Sequence, residues 1–266
     1  MKTPITYDLP IQRMPLIGNI AKMIDRIIGQ QGLAAAAHEL LTMMKTKLTV
    51  KKYSEAVDSV IQTGQVLVLG NHEHMLEVVA LLAAMPNRKE IYTVGVAGLK
   101  GVGPNFAKHL LPVHIRPASI TAHEMKLTSR IGRALGLGVA VPPNAQEINA
   151  QSIRIAAELI SNGAMVIMFP SGVRKTNSVW SVGVGYLVDQ IARKDKTSIV
   201  FAYVTGASNL DFLRLIPGIR CLLPKFSVTL STPIAIKDLP VTKGSPKQIA
   251  KYLHSEYISW VKTISI

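Results

Sequence analysis

From Gln65 onward, short apolar runs alternate with stretches of helical spacing, and no other feature narrows the possible folds of this chain so far. VLVLG (66–70), EIYTVGVAG (90–98), PVHIR (112–116), AMVIMF (164–169), SIVFAYV (198–204) and FSVTLS (226–231) predict strands. Between them, MLEVVALLAAM (75–85) predicts a helix stopped by Pro86, GPNFAKHLL a short helix, and INAQSIRIAAELISNG a helix closed by Gly163. Residues 182–193 and SPKQIAKYLHSEYISWVKTI at the end of the chain predict two more. Strands that alternate with helices give an α/β fold: a mixed, largely parallel sheet covered by helices. Residues 17–47 place Ile17, Ile20, Met23, Ile27 and Ile28 at helical spacing, with Lys22, Asp25 and Arg26 between them. This predicts an N-terminal helical lead, either one amphipathic helix or a pair broken near Gly29 to Gly32. Its apolar face either packs on the domain or lies in a membrane interface. The expected division is 1–55 as an amphipathic helical region with possible membrane-surface contact, and 56–266 as the α/β domain. There is no internal repeat.

Hydrophobic residues make up 48% of the 266 and only 17% are charged, which excludes a disordered chain. Yet 30 Lys and Arg face 16 Asp and Glu, a net charge of +14. An apolar chain this basic seeks a polyanion: nucleic acid, an anionic membrane surface or a phosphorylated substrate. With 5 Phe and 2 Trp, and no aromatics interleaved with the basic residues, stacking platforms for nucleic acid are missing and no nucleic-acid partner is expected. The single cysteine, Cys221, excludes an internal disulfide framework and a cysteine zinc site, and it suits a reducing compartment. No run of eighteen apolar residues predicts a spanning helix, and residues 1–17 lack a secretory signal pattern. The expected address is cytoplasmic, peripheral on the membrane.

In open α/β sheets, ligands sit beyond the carboxyl ends of strands, so the loops there carry the candidate chemistry. Asn71-His72-Glu73-His74-Met75-Leu76-Glu77 follows the first run. With His72 on the turn and Glu77 in the first helical turn, the carboxylate can orient the imidazole while its other nitrogen takes a proton from a hydroxyl. A second possibility is that these side chains merely satisfy the loop. A third is a metal: His72 and His74 after a strand can ligate, and Gly70-Asn71-His72-Glu73 imitates an element of metal-dependent phosphoesterases. That site needs further Asp and His patterns, and none occurs, so no metal is expected. The loop Phe169-Pro170-Ser171-Gly172-Val173-Arg174-Lys175 offers hydrogen bonds from Ser171 and the Gly172 backbone, and cations at Arg174 and Lys175 for a phosphate. Arg116, closing the third predicted strand, would add a second cationic contact at the same edge; Lys100, Lys108 and His109 could strengthen that field. Neither a serine-hydrolase elbow nor a nucleotide-binding glycine loop is present.

Taken in order, N-H-x-x-x-x-E at 71–77, the strand-closing Arg116, F-P-S-G-x-R at 169–174 and the strand after the next helix resemble the glycerolipid acyltransferase superfamily, the lysophospholipid and glycerol-3-phosphate acyltransferases. The likeness runs over residues 60–210. That superfamily usually has N-H-x-x-x-x-D and F-P-E-G-T-R, so Glu77 and Ser171 are departures. Glu77 adds one methylene to the orienting arm, as in the related lipid A acyltransferases, and a P-S-G variant is found in soluble plastid-type members. The resemblance implies that His72 is the general base, Glu77 its orienter, that Arg116 and Arg174 bind an acceptor phosphate, and that Ser171 and Gly172 shape the pocket. It further implies an acyl thioester donor (acyl-CoA or acyl carrier protein), a phosphorylated or lysolipid acceptor, an anionic membrane surface as partner, and no cofactor. The alternatives are a non-catalytic anionic-lipid binder of the same fold and a metal-dependent phosphoesterase.

Overall fold

The computed structural model describes residues 11–13, 17–114, 142–172, 174–208, 210–215 and 225–264. Its strands are β1 (Leu48–Lys52), β2 (Gln65–Gly70), β3 (Ile91–Val96), β4 (Leu110–Val113), β5 (Met165–Met168), β6 (Thr197–Thr205), β7 (Phe226–Leu230) and β8 (Ile234–Ala235). They form one mixed sheet in the order β1-β7-β6-β2-β5-β3-β4, with β8 paired to β6. From β6 to β4 all neighbours are parallel, whereas β7 and β8 run antiparallel to β6. The helices are α1 (Ile17–Gln31), α2 (Leu33–Met43), α3 (Ala56–Thr63), α4 (Leu76–Ala83), α5 (Pro104–His109), α6 (Ala145–Ser161), α7 (Gly183–Gln190) and α8 (Pro246–Ile264).

β2 shows why this sequence demands helices on both faces. Val66 and Val68 enter one core with residues of α1 to α4, while Leu67 and Leu69 enter another with residues of α6, α7 and α8. All four are fully buried. A strand that is apolar at every position is stable only when both faces are covered, each such side chain contributing about 1.5–3 kcal/mol.

The helical lead is a pair. Gly32, at φ +91°, occupies a left-handed conformation that a side chain disfavours, and α1 turns there into α2. Buried Ala21 and Ile28 turn the apolar stripe of α1 inward, leaving Asn19, Lys22, Arg26 and Gln30 exposed. The Asp25 carboxylate accepts hydrogen bonds from the Phe106 N–H (2.8 Å) and the Asn105 amide (3.2 Å), tying α1 to the first turn of α5. Beyond the pair, β1 extends the sheet through parallel pairing with β7. The third predicted strand starts two residues earlier than expected, as β4, and ends at Val113; Arg116 lies outside the described residues. No helix among the described residues is long and apolar enough to cross a membrane.

Candidate functional site

The β2–α4 loop leaves the sheet at its centre, between β5 and β6, and Asn71 determines how. Its side-chain oxygen accepts the Val204 N–H (2.7 Å) and its amide donates to the Val204 carbonyl (2.9 Å), extending the β2–β6 pairing by one side chain after the β2 backbone has turned away. His72 comes next. Its Nδ1 lies 3.1 Å from the His74 carbonyl oxygen. A carbonyl can only accept, so the proton sits on Nδ1 and Nε2 keeps its lone pair. The ring packs against Phe169 at a centroid distance of 5.1 Å, and its side chain is 13% exposed. Burial lowers the imidazole pKa to about 4, opposed by the bond to His74, so the ring is neutral at physiological pH.

Glu77 is brought beside His72, at 4.0 Å from its Nδ1. That exceeds hydrogen-bond distance, and the carboxylate instead accepts the backbone N–H groups of Glu73 and His74, the latter at 3.1 Å. It therefore orders the turn whose carbonyl holds the His72 proton. Burial pushes Glu77 up to about 7, against the two N–H groups that favour its charged form. The pair is poised so that an imidazolium formed at His72 meets a carboxylate 4 Å away once Glu77 ionises.

The β5–α7 loop lies alongside. His72 and Arg174 form an antiparallel backbone bridge, which sets the predicted base and the predicted phosphate-binding arginine opposite one another. Ser171 is buried and its hydroxyl donates to the Gly172 carbonyl, while the Gly172 N–H donates to the Phe169 carbonyl at 2.9 Å. Both expected donors thus close the turn, whose left-handed residue is Gly172 at φ +61°. Lys100 follows β3 at this edge, but Lys108 and His109 end α5 just before β4 begins, at the opposite end of the sheet. A cavity of about 290 Å³ opens past β4, lined by His114, Ala145, Gln146 and Asn149. Among the described residues, no three His, Cys, Asp or Glu side chains gather to hold a metal ion.

No protein-family model matches the chain, and no curated protein sequence matches it. A comparison with solved structures finds the 1-acyl-sn-glycerophosphate (LPA) acyltransferase PlsC of Thermotoga maritima, at 15% identity and a TM-score of 0.49 over 91% of this chain and 79% of that one. At that distance, any functional reading rests on the residues of this chain.

Three further residues shape the site. Asn71 holds the β2–α4 loop to Val204, a bond that its place in the N-H-x-x-x-x-E pattern does not reveal. Tyr203 of β6 stands close enough to Glu73 and Glu77 that their charges, after burial, raise its hydroxyl pKa. Glu73 reaches across to the neighbouring loop, accepting the N–H and the hydroxyl of Thr176, the latter at 2.6 Å. A carboxylate two residues from Asn71 was the available signal; its partner 103 positions away was not.

Proposed function

We propose that the protein is an O-acyltransferase that moves a fatty acyl group from an acyl thioester, acyl-CoA or acyl carrier protein, to a hydroxyl of a phosphorylated or lysolipid acceptor. One observation carries this reading: a neutral histidine with its proton held on Nδ1 by a loop carbonyl, a carboxylate behind it, and an arginine bridged to its backbone. His72 Nε2 takes the acceptor proton as the oxygen attacks the thioester carbonyl, and the imidazolium returns that proton to the departing thiolate. Arg174 holds the acceptor phosphate, joined in this proposal by Arg116. Because the thioester already carries the activation, the step calls on no prosthetic group. The test is release of free thiol and formation of acylated product from a panel of donors with glycerol 3-phosphate, lysophosphatidic acid and other hydroxyl acceptors. No thiol release from any pair overturns the proposal.

The pH profile follows from Glu77. Below about pH 7 the carboxyl is protonated and no longer stabilises the imidazolium, so kcat/KM rises with pH through that region. Glu77→Gln is expected to lower the plateau by about tenfold and to abolish this limb, leaving only the fall near pH 4 where His72 itself protonates. An unchanged limb in the variant assigns it to another group.

The acceptor's lipid character gives the excess charge a destination. At the edge that carries His72, Met75 (64% exposed), Val179 (78%) and Leu210 (53%) project into solvent near exposed Lys45, Lys175 and Lys225. Apolar side chains among lysines fit an anionic bilayer surface and a peripheral cytoplasmic enzyme. Co-sedimentation with phosphatidylglycerol vesicles is expected, weakening with added salt; equal retention by phosphatidylcholine vesicles argues against it.

A further inference from the structure

Past the last paired residues of β2 and β5, Leu69 and Met168, the two loops have no sheet ladder between them. Among the described residues, the packing of His72 on Phe169, the His72–Arg174 bridge and the bonds from Thr176 to Glu73 bring them together. Both Thr176 donors, one backbone and one side chain, converge on the same oxygen, Oε1, of Glu73. This carboxylate is out of place on simple electrostatics. A negative charge one residue from His72, in a loop facing Arg174 and Lys175, repels the anion those cations are meant to hold. Its two Thr176 bonds lie two residues beyond Arg174, and they fix the segment that carries it. Glu73 also donates its own N–H to Glu77, so one residue connects the ordering of the His72 turn to the placement of the arginine loop.

We propose that Glu73 is a positioning residue for acceptor recognition: through Thr176 it sets Arg174 against His72, so that a phosphate held by the arginine presents its hydroxyl to Nε2. This rests on the acyltransferase reading and adds a residue and a specificity role to it. The consequence is selective. Loss of the latch weakens capture of the phosphate and leaves the chemistry at His72 and the donor site in place.

The experiment compares a phosphorylated acceptor with its dephosphorylated counterpart, lysophosphatidic acid with monoacylglycerol or glycerol 3-phosphate with glycerol. Glu73→Ala is expected to raise KM for the phosphorylated member about tenfold or more, with kcat/KM for the neutral member and KM for the thioester within about twofold of wild type. Thr176→Val, which keeps the backbone donor, gives a smaller shift in the same direction. Glu73→Gln retains an oxygen that accepts both bonds and lacks the repelling charge, so its KM stays at or below the wild-type value. Thermal unfolding of each variant reports on the fold separately. Equal losses on both acceptors in Glu73→Ala and Thr176→Val, or a Gln variant as impaired as the Ala variant, overturn the positioning role. A wild-type protein that releases no thiol with any donor and hydroxyl acceptor of the panel instead overturns the acyltransferase reading, and the latch's function with it.

Discussion

His72→Ala is expected to lower thioester-dependent acylation by about 10²–10⁴-fold while the protein still folds, because the substitution removes the only atom assigned to the acceptor proton. The fold is insulated from the change. His72 makes its bridge to Arg174 through the backbone, and the turn is held by Asn71 and by the Glu77 carboxylate on the backbone N–H groups of residues 73 and 74, hydrogen bonds that do not involve the imidazole. What disappears is a ring whose proton is anchored by the His74 carbonyl. Donor KM should stay near the wild-type value, since a general base acts on the barrier and contributes little to ground-state binding. Thiol release and acylated product measured side by side check this, and wild-type turnover in a circular-dichroism-normal His72→Ala protein removes His72 from the mechanism.

Arg214→Met is expected to cost about 3–5 kcal/mol of folding stability, the largest structural effect of any single substitution considered. The residue is 1% exposed and fully engaged. Its Nε donates to Asp211 at 2.8 Å, one Nη to the Gly206 carbonyl at 3.2 Å and the other to the Thr46 hydroxyl at 3.3 Å, and its guanidinium lies 4.3 Å from the Phe226 ring centroid. Methionine fills much of the volume but strips the buried Asp211 carboxylate of its Arg214 counter-charge, leaving it the Ser208 N–H and hydroxyl. Against a total stability of about 5–15 kcal/mol for a typical domain, that is a severe loss. Urea denaturation of Arg214→Met and of the double variant with Asp211→Leu separates the causes: the double variant should recover much of the loss, since it removes the orphaned charge. A single-variant cost below about 1 kcal/mol contradicts the assignment. The change also reaches the site, because Asp211 already contributes to raising Glu77; unneutralised, it pushes that carboxyl higher and moves the acid limb of kcat/KM upward.

The buried strands were legible and the β1 edge was not, for one physical reason. Runs such as VLVLG and AMVIMF are apolar at every position because helices cover both faces, and such runs stand out in any sequence. β1, LTVKK, is exposed at all but its first residue, so its two lysines and alternating pattern mark nothing apolar enough to notice. The site divides in the same way. The spacing of His72 and Glu77 announced their proximity, since five residues across a turn and one helical turn bring them close. Which group receives the Nδ1 proton was invisible, because the rival acceptor is a backbone carbonyl that every residue has. Ser171 and Gly172 looked available as donors, and the tightness of their turn consumes both. Glu73 and Thr176 share no local period; they meet only because β2 and β5 are neighbours in the sheet.

The sheet order also implies a sequence of assembly. Among the described residues β1 pairs with β7 alone, so residues 48–52 wait for residues 226–230. During synthesis the stretch carrying His72, Arg174 and their flanking strands β2, β5 and β6 is complete by Thr205, before β7 has left the ribosome. The candidate site can therefore form around an early parallel core, while β1 keeps an unclosed border until residues 226–230 have emerged. The lysines of β1, Lys51 and Lys52, sit on that waiting border, where charge discourages pairing with a neighbouring nascent chain.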